Sequence, residues 1–176
     1  MKSLLSELID IVAGVFPWLV FAWMLFGIYN MAKADEPLTR EQRIVALTIL
    51  GEARGEGEKG MRGIAAVIAQ RSKNRGLTYE QVCLEPWQFS PWNAGGGKVK
   101  KESELYHLWK SPSMWYARNL ARNMDRVALC EFKNADHFCT LKTNPSWAYD
   151  KKKKKWIDPV LVFKNHKFYR LKHQQK

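Results

Sequence analysis

The hydrophobic positions of this chain change rhythm twice. From Ile11 to Tyr29 the run IVAGVFPWLVFAWMLFGIY holds no charged residue and is apolar on every face. From Thr39 to about Asn74 apolar residues cluster in two helical stretches, interrupted by Gly55 and Gly57. Beyond residue 135 they come in short pieces separated by turns. These rhythms predict a lone apolar helix, then packed helices, then a small sheet.

About 20 apolar residues span a bilayer core as a helix, so a transmembrane helix is predicted over about 11–31. Pro17 would bend it without forbidding it. Ala32-Lys33-Ala34 has the small-x-small form of a signal-peptide cleavage site, so removal of residues 1–34 is a second reading. The run exceeds the ~7–15 apolar residues usual in a signal peptide, which favours retention. Lys2, Lys33 and Arg40 are too few to fix the orientation. Residues 35–38 read as a linker and 39–176 as one domain.

Within that domain, Thr39 and Gln42 form a T-x-x-Q capping box that opens a helix ending near Ala53. A second helix is predicted from Glu58 to Asn74, with Met61, Ile64, Ala65, Val67 and Ile68 on its buried stripe. Thr78 caps a short helix to Cys83. Residues 84–100 are rich in turn formers and read as a ligand-holding loop. Ser111-Pro112 starts a helix to about Leu129. Strands are expected at 136–141, 146–149, 160–163 and 166–170, with Lys151–Lys155 in a loop between the second and third.

Composition narrows the class. With 46% apolar and 26% charged residues the chain can bury a core and is not a disordered type. The net charge of +12 calls for an acidic partner: nucleic acid, anionic lipid or an anionic wall polymer. No nucleic-acid motif accompanies the Lys151–Lys155 run, so nucleic acid is not expected. Three cysteines do not read as a disulfide framework, although a Cys130–Cys139 bridge and buried thiols are both open. No C-x-x-C occurs, and His137 and His166 are not spaced as metal ligands, so neither a metal nor a cofactor is expected. This removes a zinc amidase from the candidates.

The chemistry concentrates in Gly51-Glu52-Ala53-Arg54-Gly55-Glu56. A carboxylate at the end of an apolar helix, just before a glycine break, is partly buried yet faces a cleft. Burial disfavours its charged form, which suits a general acid. Glycoside cleavage commonly adds a second carboxylate about 5–9 Å away. Glu56 is diverted by Gly55, and Glu85 in the aromatic loop reads as a solvated turn residue, so a single acid fits better. Trp87, Trp92, Trp147 and Tyr149 are candidates for either sugar stacking or packing.

Read together, GEARGEGEKGMRGIAAVIAQRSKNR, QFSPWN, NADHFCTLKTNPSWA and NHKFYR resemble the SleB/CwlJ family of cell-wall hydrolases across about residues 40–170. The resemblance implies an α+β, lysozyme-like or lytic-transglycosylase-like fold, mainly helical with a small C-terminal β element, behind one N-terminal transmembrane helix. It makes Glu52 the catalytic acid. It puts Glu56, Gln88, Phe89, Ser90, Trp92, His137, Trp147, His166 and Tyr169 among the substrate-binding residues. Three positions depart from the family pattern: Gln70 before Arg71, Asn165 before His166, and Cys139 after Phe138.

The function so implied is cleavage of the peptidoglycan glycan strand between N-acetylmuramic acid and N-acetylglucosamine, with a 1,6-anhydro product. The alternatives are a muramidase with a hydrated product and a non-catalytic, membrane-anchored wall-binding protein. A phage lysis enzyme and a bacterial wall-remodelling enzyme both fit. The expected partners are peptidoglycan and, through the N-terminal helix, the inner membrane. A monomer is expected, with its catalytic domain in the periplasm, or a secreted one if cleavage follows Ala34.

Overall fold

The computed structural model describes residues 16–26 and 36–171. The chain divides into two compact units, Met1–Pro37 and Leu38–Lys176. In the first unit, residues 16–26 form helix α1, with their side chains exposed. The rest of the predicted 11–31 helix, and the cleavage motif at 32–34, lie outside the described residues. Among the described residues no helix is long and apolar enough to cross a membrane.

The second unit is α+β and mainly helical. Helix α2, Arg40–Ala53, starts at the predicted capping box. Thr39 Oγ1 accepts from the Gln42 amide at 3.2 Å, and Gln42 Oε1 accepts from the Thr39 amide at 3.0 Å. Every residue from Ile44 to Leu50 is buried. A helix apolar on all sides must be enclosed. Here α2 is enclosed by α3 (Gly57–Arg75), α4 (Tyr79–Leu84), α5 (Met114–Arg122) and two 3-10 segments, Ser90–Trp92 and Glu102–Lys110. Gly76, at φ 66°, closes α3 in the left-handed conformation that glycine favours.

The sheet has the order β1-β5-β4, all antiparallel: β1 is His137–Thr140, β4 is Leu161–Phe163 and β5 is His166–Tyr169. His137 faces Tyr169 and Thr140 faces His166 in the β1–β5 register. A separate hairpin pairs β2 (Tyr149–Asp150) with β3 (Lys155–Trp156). The sheet meets the helices at Gly63, where α3 passes under Phe132 and Phe168. Those two rings pack on each other at 5.4 Å.

Two expectations are corrected. The helix predicted from Ser111 to Leu129 starts at Met114 and ends at Arg122. Asn123 turns its side-chain amide back onto the Asn119 carbonyl at 2.8 Å, a local bond that competes with helix continuation. The chain then passes through separate 3-10 turns at Met124–Arg126 and Leu129–Phe132. The strand predicted at 146–149 is instead a 3-10 turn, Ser146–Ala148, held by the Ala148 amide on the Pro145 carbonyl. The lysine run lies in a loop as expected: residues 151–154 form the exposed turn between β2 and β3, where Asp150 Oδ1 accepts from the Lys152 and Lys153 amides.

A Cβ added at Gly63 would come within 2.6 Å of Phe168 and 2.9 Å of Phe132. Gly63→Ala should therefore destabilise the domain by about 1–3 kcal/mol through overpacking. A urea titration reads this as a lower midpoint. An unchanged midpoint would mean that the two rings yield freely.

Candidate active site

Glu52 lies in the last turn of α2, where the buried helix reaches the surface. Its neighbour Gly51 leaves room for Pro91, because a Cβ at Gly51 would sit far inside contact distance of the proline ring. The Ser90–Trp92 turn thus lies directly on the helix. Trp92 anchors it: the indole Nε1 donates to Thr48 Oγ1 at 2.8 Å, one turn before Glu52, and Thr48 Oγ1 donates to the Ile44 carbonyl at 2.8 Å. The anchored turn brings Ser90 to the acid. The Ser90 amide and Oγ both donate to Glu52 Oε1, at 2.7 and 2.9 Å. Among the described residues Oε2 accepts no hydrogen bond.

Burial pushes the Glu52 carboxyl above the ordinary glutamate range. The negative end of the α2 dipole acts in the same direction. The two Ser90 donors and the charge of Arg71 pull it down but do not cancel the burial. Glu52 is therefore biased toward the protonated form, with one oxygen fixed and the other open.

Glu56 has the opposite character. It is the residue before α3, and its oxygens accept from the Asn165 side-chain amide at 3.1 Å and the Asn165 backbone amide at 3.3 Å. His166 Nδ1 lies 4.0 Å away. Burial raises its pKa, but the Asn165 donors, His166 and Lys164 outweigh it, so the carboxyl sits below its ordinary range. Two glutamates one helical turn apart in sequence are thus biased toward opposite charge states.

A third group gathers around β1. Buried Asp136 accepts from the Leu171 amide at 3.0 Å and holds His137 Nδ1 at 2.9 Å. The His137 ring packs on Trp147 at 5.0 Å, and Trp147 meets the Tyr169 ring edge-on at 5.3 Å. His137 itself stays partly exposed.

Residues 55–169 match the Cell Wall Hydrolase family, which is more than half of the chain. The chain belongs to this family. It is therefore an enzyme that acts on the cell wall, in line with the resemblance seen in its motifs. No curated protein and no solved structure matches it. Glu52 precedes the matched residues, so its role is argued from geometry.

The hydrolase sorts its candidate residues into two kinds. Glu52, Ser90, Gln88, His137 and Trp147 keep accessible surface. Phe89, Trp92, His166 and Tyr169 do not: their exposures are 1%, 2%, 5% and 4%. The side chains of these four are enclosed by packing. Phe89 faces Phe138 at 6.2 Å, Phe138 faces His166 at 5.6 Å, and together they tie the Ser90 turn to the sheet. Glu56 reaches the sheet through Asn165 rather than standing free. Trp87 is 64% exposed, whereas Tyr149 packs on Trp156 in the hairpin at 5.2 Å. All three cysteines are free thiols, and Cys83 is buried. Glu85 pairs with Arg75 instead of being merely solvated.

Sequence reasoning passed over Gly51, Thr48, Arg71 and Asp136. A lone threonine within an otherwise apolar helix was the available signal for Thr48. For Asn165, the departure from the family pattern was visible, and in the structure it supplies two donors to Glu56.

Removing the Ser90 hydroxyl takes away one donor that favours ionised Glu52. Ser90→Ala should raise the pKa of Glu52 further. If Glu52 works as the protonated acid, the high-pH limb of sacculus clearing then moves to higher pH. A limb that stays in place, or moves down, contradicts the assignment of that hydrogen bond.

Proposed function

We propose that this cell-wall hydrolase cuts the glycan strand of peptidoglycan as a lytic transglycosylase, with Glu52 as its one acid and base. The observation that carries the reading is the setting of Glu52: its carboxyl is raised above the ordinary glutamate range by burial, held through Oε1 by Ser90, and open at Oε2. The proton then resides on Oε2, where it can reach a glycosidic oxygen.

In the first step Glu52 gives this proton to the oxygen leaving the muramic acid C1, and the C1–O bond breaks. The Ser90 donors stabilise the carboxylate that forms. In the second step the carboxylate takes the proton of the sugar's own 6-hydroxyl as O6 bonds to C1. The 1,6-anhydro ring closes, Glu52 is protonated again and no water is consumed.

The environment of Glu56 supports a single-acid scheme. Both oxygens of Glu56 accept from Asn165, which ties this carboxylate to the sheet. Gln88, Ser90, His137 and Trp147 are the accessible candidates for sugar contact, with the Trp147 ring packed beside His137. A lysozyme-like cleft between the helical part and the sheet is the arrangement this scheme uses. The apolar run at 11–29 would tether the enzyme at the inner membrane, with the catalytic domain in the periplasm.

The test is mass analysis of sacculi digested by the full-length enzyme and by Glu52→Gln. The wild type should release muropeptides lighter by one water than the hydrated sugars. Glu52→Gln should lose ~10²–10⁴-fold in rate while keeping its circular dichroism spectrum. Hydrated products would make the enzyme a muramidase. Retained sacculus binding without any release by the wild type would make it a wall-binding protein.

A further inference from the structure

Arg71 has no place in the scheme so far, yet it is the buried cation nearest in effect to the acid. It is 4% exposed, on the inner face of α3. Its Nε donates to the Asp136 carbonyl at 2.7 Å, at the start of the sheet. Its guanidinium carbon lies 5.1 Å from the centroid of the Phe89 ring. Phe89 directly precedes Ser90, the residue that holds Glu52. Among the described residues Arg71 Nη1 is buried and has no hydrogen-bond partner.

A buried cation with an unused donor is an unfavourable choice for structure alone, since a well-packed apolar residue would fill the same space without that cost. What the cation adds is charge in a site where water cannot screen it. We propose that Arg71 is a positioning residue for the acid: it clamps the Phe89–Ser90 turn onto Glu52 and supplies the positive charge that receives the carboxylate left when Glu52 gives up its proton. This rests on the reading of Glu52 as the acid. Preorganised charge of this kind acts where charge develops, not on the resting substrate.

The charged neighbours fit that role. Among the described residues, the charge of Arg71 acts on Glu52 alongside the two Ser90 donors. Burial and Arg75 bring the guanidinium down to about 10, while Asp136, Glu85 and Cys83 oppose them. It therefore stays charged at neutral pH. Cys83 is pushed up to about 12 by burial and stays neutral, and Arg75 is paired with Glu85. The field that reaches Glu52 is that of a cation.

Full-length Arg71→Met, Arg71→Gln and Arg71→Lys enzymes are assayed on sacculi across pH beside Glu52→Gln, with folded protein measured by circular dichroism. Glu52 must be protonated to act, so activity falls as pH rises through its pKa. Losing the cation raises that pKa. The two neutral variants should therefore lose ~10-fold or more in rate per folded molecule, with the high-pH limb moved to higher pH. Arg71→Lys should keep the limb at the wild-type pH and recover part of the rate. An unmoved limb in the neutral variants overturns the proposal. So does activity lost only in proportion to folded protein, in these variants and in Arg71→Lys alike. An active Glu52→Gln enzyme overturns the acid assignment instead.

Discussion

Enclosing α2 on every side is the constraint from which the rest of this domain follows. Seven consecutive buried residues, Ile44 to Leu50, leave the helix no solvent face. Three helices and two 3-10 segments must therefore surround it. Its end has to come out somewhere, and it comes out at Glu52. The same enclosure that gives the domain its core strips water from the carboxyl and leaves it against the negative end of the helix. Stability and the raised carboxyl of Glu52 here share one cause, the burial of one helix.

Precision at the acid comes from contacts that are individually modest. Gly51 lets Pro91 approach, Thr48 catches the Trp92 indole, and the turn so fixed delivers two donors to one glutamate oxygen. From the other side Phe89, Phe138 and His166 join this turn to the sheet, and Asn165 joins the sheet to Glu56. Aromatic residues with family-like positions thus serve the site by packing behind it. An acid needs a stiff frame more than it needs many neighbours, because a carboxyl that can swing into water regains its ordinary pKa.

Much of the helical part was legible in the sequence. Thr39–Gln42 and Thr78–Gln81 are local capping boxes, so α2 and α4 begin where their own side chains dictate. The break at Gly55–Gly57 and the stop at Gly76 are likewise local. Glu52 was legible because a helix end and a glycine break sit side by side in the chain. What was not legible depends on partners distant in sequence. Phe89 and Trp92 look like stacking residues until Phe138 and Thr48 are seen to bury them. Arg71 looks like a basic residue ending a helix until Asp136 and Phe89 enclose it. The early end of α5 turned on one side chain, Asn123, competing for the backbone.

The central claim is that burial holds the Glu52 carboxyl above the ordinary glutamate range. Carbon-13 NMR of the side-chain carboxyls tests it most directly, with Glu52 assigned as the signal missing from Glu52→Gln. Titration of that signal should show a midpoint above the ordinary glutamate range. A midpoint at or below that range would contradict the account, whatever the products of digestion turn out to be.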